Sequence, residues 1–505
     1  MRMGTGYLKA GVAILALTSG IAVGAAAQAK PLEIATDASP VGLDPHVVTS
    51  FASILVTKNV YEGLTAIDDS LNVVPALAKS WTVSPDGKTY KFSLRDGVKF
   101  HNGEAFTAKD VVASINRIKD TKTGSPLASR FTVISEAKEV SPTEVELTLS
   151  APSAPLVSQL ADLAIIPASA AGGGADLQKG AIGTGPFKFQ QWVPDTYILL
   201  TKNESYYEKG LPKLDGLKFN IVPEATTRQV GLSSGTYQML PNIDGALALT
   251  LKSGSSVNVL ETTDLAYSLV GFNTTKAPFD KPQVREAFNY ALNRGKLVDA
   301  AYFGLGQPAG PLSPALKDWA APTSDFACYK TDPVKAKALL KEAGFENGVE
   351  VTLNVLGSVQ SVVDAAQVVQ AQLTAAGFKA KLNVQEQGAF IQDWRNSNFE
   401  AFVSLNGGGV DPDDYFTRTF KTGGSTNVYK YSNPEIDAKL DAARASNNKA
   451  ERQKIYKEVQ VELACKGPIA HLGYANLFTA LGDGVDGYKI LANRQTRYLR
   501  ETTAK

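Results

Sequence analysis

Cysteine, histidine and methionine are scarce, with 2, 3 and 3 copies in a chain of 505 residues. Two cysteines, Cys328 and Cys465, are too few for a disulfide-stapled miniprotein or for paired CxxC metal sites. The histidines, His46, His101 and His471, have no partner histidine four residues away, which excludes the metal-binding helix of zinc hydrolases. No metal site and no cofactor is expected. Neither charge is in excess, because 51 Lys and Arg face 50 Asp and Glu. A chain without a basic field is not built to hold nucleic acid or an anionic membrane. Past residue 23 there is no long apolar run, and a mean hydropathy of -0.09 excludes a polytopic membrane protein.

What is present begins at the N-terminus. Arg2 and Lys9 precede an apolar stretch from Ala10 to Val23, and an Ala-x-Ala site follows at Ala27-Gln28-Ala29. This is the layout of a secretory signal peptide over residues 1–29, and Thr18, Ser19 and Gly20 interrupt it too early for a membrane span. No cysteine lies near the cleavage site, so the exported protein is expected to be free in the periplasm rather than tethered as a lipoprotein. An oxidising compartment favours a disulfide between Cys328 and Cys465 over two free thiols, although their spacing does not specify it.

The length corresponds to roughly three domains or two large lobes. From Trp81 to Leu94, turn residues Ser84-Pro85-Asp86-Gly87 separate apolar alternation, which predicts a β-hairpin. Thr107 with Asp110 three residues on opens a helix whose Val111, Val112, Ile115 and Ile118 share a face, and a strand follows from Val145 to Leu149. Strands and helices mix here without regular alternation, which predicts an α+β subdomain over residues 69–182. The second half alternates. Asp332-Pro333 starts a helix that Gly344 ends, Val349 to Leu356 is a strand, Val359 to Ala376 a helix closed by Gly377, and Phe378 to Val384 a strand. That order predicts a parallel α/β sheet. Pro434 to Leu463 is expected to be a long helical region with a solvated face.

Trp81 followed by Ser84-Pro85-Asp86-Gly87-Lys88-Thr89-Tyr90, then Leu94 through Gly103 and Phe106-Thr107-Ala108-Lys109-Asp110-Val111, resembles the family 5 extracellular solute-binding proteins. These form the peptide, nickel and opine class that serves ATP-binding-cassette importers. The resemblance continues through Gly183-Thr184-Gly185-Pro186-Phe187, Asn273-Thr274, Pro282 to Ala287, Lys335 to Leu340 and Asp411-Pro412-Asp413, and so spans the mature chain. It implies an α/β, two-lobed periplasmic binding protein fold, type II-like and hinge-linked, with the extra α+β subdomain on the first lobe. The first lobe is then residues 30–271, the second 272–484, and residues 485–505 return to the first. The implied function is a monomeric receptor that closes over a peptide or a peptide-like small polar solute and presents it to a membrane permease. An opine or a sugar derivative is the alternative solute.

Catalytic readings are weaker. Gly231-Leu232-Ser233-Ser234-Gly235 matches GxSxG, but a nucleophile elbow needs a strand before the serine, whereas Ala225 to Leu232 is patterned as a helix and Gly235 as its stop. A secreted hydrolase would have to recruit His46, His101 or His471. A chaperone-like role in a large cleft is a further alternative. Gly180 to Gly185 is rich in glycine but lacks the Lys-Ser/Thr of a phosphate loop, and is expected to be a turn between strands. Asp411-Pro412-Asp413-Asp414 lacks the calcium-loop spacing, since Phe416 and Thr422 occupy the sixth and twelfth positions. It is expected to start a helix, with Asp413 and Asp414 structural.

In peptide-binding relatives a tryptophan and an aspartate precede the Asp-Pro-Asp motif, and the aspartate pairs with the peptide ammonium. Leu405 and Gly408 stand at those positions here, and no arginine for a peptide carboxylate occurs between Leu356 and Ser361. Three glycines, Gly407 to Gly409, would let a bulky solute approach the backbone. The solute-binding residues are therefore expected to be Gln387, Asn406, Gly407, Gly408 and Asp411 on the second lobe, with Ser39 and Thr49 opposite them on the first.

Overall fold

The computed structural model describes residues 30–174, 176–254 and 257–505, besides Met1, Met3 and Gly4. Apart from those last three residues, the signal peptide expected over residues 1–29 lies outside the described residues.

Apolar alternation produces the hairpin Ala78–Val83 and Thr89–Leu94, in which Tyr90, Phe92 and Leu94 are buried. Glu144–Leu149 and Ile134–Ser141 extend it to a four-stranded antiparallel sheet. The helix Ala108–Lys119 covers this sheet with Val111, Ile115 and Ile118. Its start is fixed by a capping box, in which the Thr107 N–H donates to Asp110 Oδ2 at 2.8 Å.

Most of the remaining strands join one large sheet whose two halves share the long strand Ile469–Leu481. On one side of it run Met239–Ile243, Leu32–Thr36, Gly216–Ile221, Tyr197–Lys202 and Phe187–Val193, in that order. On the other run Tyr267–Phe272, Ala401–Asn406, Val349–Leu356 and Phe378–Gln385. The last two are parallel and paired from Val349 with Phe378 to Leu356 with Gln385. The helix Gln360–Ala375 connects them and buries Val362, Ala365, Ala366, Val369 and Leu373 in the same core. The predicted α/β pattern of the second half is therefore present, beside an antiparallel Tyr267–Phe272.

The shared strand also shows where the chain passes from one half to the other. Asn258–Thr263 pairs with its C-terminal part and Tyr267–Phe272 with its N-terminal part, so the crossings fall at residues 264–266 and inside the shared strand itself. The boundaries expected at 272 and 484 lie several residues beyond both.

Two local expectations are corrected. The region from Pro434 to Leu463 is two helices, Pro434–Ala445 and Lys449–Lys466, because the Asn448 side chain accepts from the Ala450 and Glu451 N–H groups at 3.0 and 3.3 Å and starts the second. Gly180 to Gly185 is not a turn between strands. It is a loop laid on the backbone of Asn59 and Val60, with the Gly185 N–H donating to the Val60 carbonyl at 2.9 Å, and it leads into Phe187–Val193.

Candidate functional site

A cavity of about 340 Å³ lies between the two halves. The first half contributes Thr49, the helix Phe51–Thr57 with Lys58 and Tyr61 after it, and Arg130, Ser158 and Asp162. The second contributes Gly408, Gly409, Val410 and Asp414, while Leu265 and the segment Asn493 to Gln495 join the two. Local sequence fixes both sides. Ser50 caps its helix by accepting from the Ser53 N–H at 3.3 Å. Asp411 accepts from the Asp413 N–H at 2.9 Å, and Pro412 takes the first position of the helix Pro412–Phe420. Asp414 thereby falls in the first turn, facing the cavity.

Lys58 and Arg130 both pair with Asp162, at 2.9 and 3.1 Å. Burial pushes the Asp162 carboxyl up, but these two cations outweigh it and hold it below the usual range. Arg494 pairs with Asp264 and lies over the exposed Phe51 ring. Glu62 accepts from Tyr206, Tyr207 and Thr184 hydroxyls at 2.7, 2.9 and 2.9 Å, and burial raises its carboxyl above the usual value. Asp414 accepts from the Gln159 amide across the cleft at 2.8 Å. Protein surrounds it on every side although solvent reaches it through the cavity, and burial pushes it up to about 6.

The residues singled out on the sequence separate into three places. Thr49 and Gly408 line the main cavity. Gln387 and Asn406 line another cavity, of about 250 Å³, together with Trp394, Leu405 and Tyr429 of the second half. Asp411 borders a third cavity, of about 380 Å³, with Trp81 and Trp319, and its carboxylate is taken by Arg452 at 2.6 and 3.0 Å. Ser39 is not among the groups lining the main cavity, and Gly407 sits at an exposed edge. Among the charged groups of the cavity, Lys58, Arg130, Asp162 and Asp414 were missed. The first three stand far apart in sequence without a motif, and Asp414 was legible only as a helix-start residue.

Gly408 has a steric role. A Cβ there would lie 2.7 Å from the Leu265 carbonyl oxygen, a backbone atom that cannot yield cheaply. Gly408→Asp is therefore expected to displace the 407–410 segment and weaken solute binding about tenfold or more, rather than add an anchor. Calorimetry on the folded variant checks this, and unchanged affinity would reject it.

The three imidazoles are packed into the structure. His46 Nε2 meets the Ala164 carbonyl at 2.8 Å and Nδ1 faces Arg117, and burial lowers the ring to about 4. His101 lies between Gly183 and Gly185, also lowered by burial to about 4. His471 meets the Tyr415 hydroxyl at 2.7 Å, and burial lowers it to about 3. Ser233 ends the helix Ala225–Ser233 on an exposed surface, and among the described residues no imidazole bonds a serine. The GxSxG pattern is a helix C-terminus. Among the described residues no helix is long and apolar enough to cross a membrane.

The model of the bacterial extracellular solute-binding proteins, family 5, middle region, matches residues 72–427. The chain is similar to the glutathione-binding protein GsiB of Escherichia coli K12, with 29% identity over 511 residues and 96% of each chain covered. It is also similar to the dipeptide-binding protein of that strain, with 31% identity over 522 residues and 96% of each covered. Among solved structures it is similar to the ABC transporter-associated periplasmic binding protein DppA of Helicobacter pylori in complex with the peptide STSA. That likeness has 27% identity and a TM-score of 0.79, over 94% of this chain and 98% of that one.

Proposed function

The chain belongs to the family 5 bacterial extracellular solute-binding proteins, and on that premise we propose that it is the periplasmic receptor of an ATP-binding-cassette importer. It encloses a peptide or peptide-like small polar solute between its lobes and delivers it to a membrane permease, without chemistry of its own. The observation that carries this reading is the cavity of about 340 Å³ lined from both halves of the fold. A solute held there touches both lobes only when they are together, so its differential affinity for that arrangement drives closure. The relatives named for glutathione and dipeptides support a peptide as the solute. The first lobe comprises residues 30–263 together with the stretch from the C-terminal part of Ile469–Leu481 to residue 505, the second the residues between, and the crossings at residues 264–266 and inside Ile469–Leu481 act as the hinge.

Incubating the exported protein with an equimolar mixture of glutathione and small peptides, then weighing it by native mass spectrometry, is expected to show one solute per chain. The bound species is expected to have a smaller radius of gyration in solution scattering. Retention of no solute would overturn the peptide reading, and binding with an unchanged scattering profile would overturn hinge closure. Ser233→Ala is expected to leave binding unaltered.

A further inference from the structure

Part of the first half reaches across the cleft away from the main cavity. The strands Thr65–Ile67 and Val73–Pro75 pair as a short hairpin. Its turn is organised by the Asp68 carboxylate, which accepts from the Ser70 and Asn72 N–H groups at 2.9 and 2.8 Å. Asp69 ties that turn to the first half by pairing with Lys489 at 2.9 Å and accepting from the Tyr498 hydroxyl at 3.1 Å. Leu71 serves the opposite side. It packs against the core to which Phe416, Tyr456 and Leu463 of the second half belong, and with Trp319 and Val410 it borders the cavity of about 380 Å³. Its backbone is left-handed, with φ of 62°, a conformation that a bulky side chain adopts only at a cost.

The α+β subdomain adds to this seam. The Ala154 N–H donates to the Arg444 carbonyl at 2.9 Å. Arg444 lies in the last turn of Pro434–Ala445, where a carbonyl has no partner within its own helix, so the opposite lobe supplies one. The Tyr90 hydroxyl donates to the Ser153 carbonyl at 3.1 Å and holds this segment to the subdomain. Gly87, buried at the hairpin turn with φ of 69°, lies against both sides of the seam. A Cβ there would be 3.1 Å from Pro152 Cβ and 3.2 Å from Asn447 Nδ2. Leu71, Gly87 and Ala154 are all absent from the lining of the main cavity.

Resting on the receptor reading above, we propose that Leu71 and this seam form a latch that favours the closed arrangement before any solute arrives. The left-handed leucine gives the first half nothing, since glycine or asparagine would make the same turn without the strain. Its return comes from the second lobe, and only when the lobes are together. On opening, Leu71 is exposed and the Ala154 N–H and Arg444 carbonyl return to water, so each contact is worth little net. Together they leave the open and closed forms of the solute-free chain comparably populated. The affinity measured for a solute is scaled by the closed fraction, so loss of the Leu71 contact, shifting the ratio about tenfold, lowers affinity about fivefold.

Small-angle scattering of the full exported chain, dialysed free of solute, tests this with Leu71→Gly and Leu71→Asn. Both substitutions suit the left-handed turn and remove the apolar contact. Each is expected to raise the radius of gyration of the solute-free chain above that of wild type. Each is also expected to weaken binding of glutathione and Ala-Ala about fivefold in calorimetry, while the unfolding temperature of the solute-free chain stays within about 2 °C. Unchanged scattering profiles in both variants, whether or not they melt early, would make Leu71 a packing residue only; that result overturns this inference and leaves the receptor reading standing. Failure of both probes to bind would count against the peptide reading, and the solute-free scattering then decides the latch alone.

Discussion

Replacing Cys328 and Cys465 together by alanine is expected to destabilise the exported protein by up to about 5 kcal/mol while leaving solute affinity in place. The bridge closes a loop of sequence separation 137, and the chain-entropy cost of such a loop in the denatured state sets that magnitude. It ties the turn Ala327–Tyr329 to the helix Lys449–Lys466, and Cys328 is fully buried in the core that holds Ala336 and Leu340, against which Tyr329 and Cys465 pack. Both ends belong to the second half of the fold, so the bridge staples one lobe and does not lock the two together. Hinge closure should survive its loss. Thermal unfolding of the wild type with and without reductant, alongside the double variant, measures the effect. Alkylation of both thiols in unreduced exported protein, or an unchanged unfolding temperature, would reject it.

The parts of this fold that were legible in the sequence are those decided by neighbours in the chain. Thr107 and Asp110, Asp332 and Pro333, and the turn before Tyr90 announce their elements because caps and turns act within a few residues. The family resemblance, resting on ordered blocks of such residues, reached the two-lobed architecture and the receptor function as well. Long-range pairing was hidden. Nothing in the run from Ile469 to Leu481 says that one strand serves both halves of a sheet, since every residue of it but Ala475 and Asn476 is buried and the usual alternation is absent. The same limit governs the site. Lys58, Arg130 and Asp162 meet through three separate loops and helix ends, and no spacing rule links them. Gln387 and Asn406 sit in the second half as expected, yet on a different cavity, because Asn406 ends its strand before the glycines carry the chain back toward Leu265.

Asp411 gives the sharpest contrast, and its removal is expected to damage the fold more than the solute site. The sequence points to it as a group facing the solute. In the structure its two oxygens receive the Arg452 guanidinium at 2.6 and 3.0 Å, with both side chains at least nine-tenths buried, and Oδ1 also accepts from the Asp413 N–H. Arg452 is further held by the Ala443 carbonyl at 3.0 Å and lies near the Trp319 and Tyr456 rings, so it cannot swing out to water cheaply. Asp411→Ala would strand that guanidinium without a counter-charge and uncap the helix Pro412–Phe420. The combined cost is about 3–5 kcal/mol for the broken pair and about 1 kcal/mol for the cap. Arg452→Met alone should cost a similar amount by leaving the carboxylate unmatched. The double variant should cost less than the sum of the two, because neither charge is then left alone in the interior. Denaturant unfolding of the three variants measures the coupling, and calorimetry on the folded fraction should find solute affinity within a few-fold of wild type. A variant at Asp411 that folds as stably as wild type but no longer binds solute would return this residue to the site and reject its assignment to the buried pair.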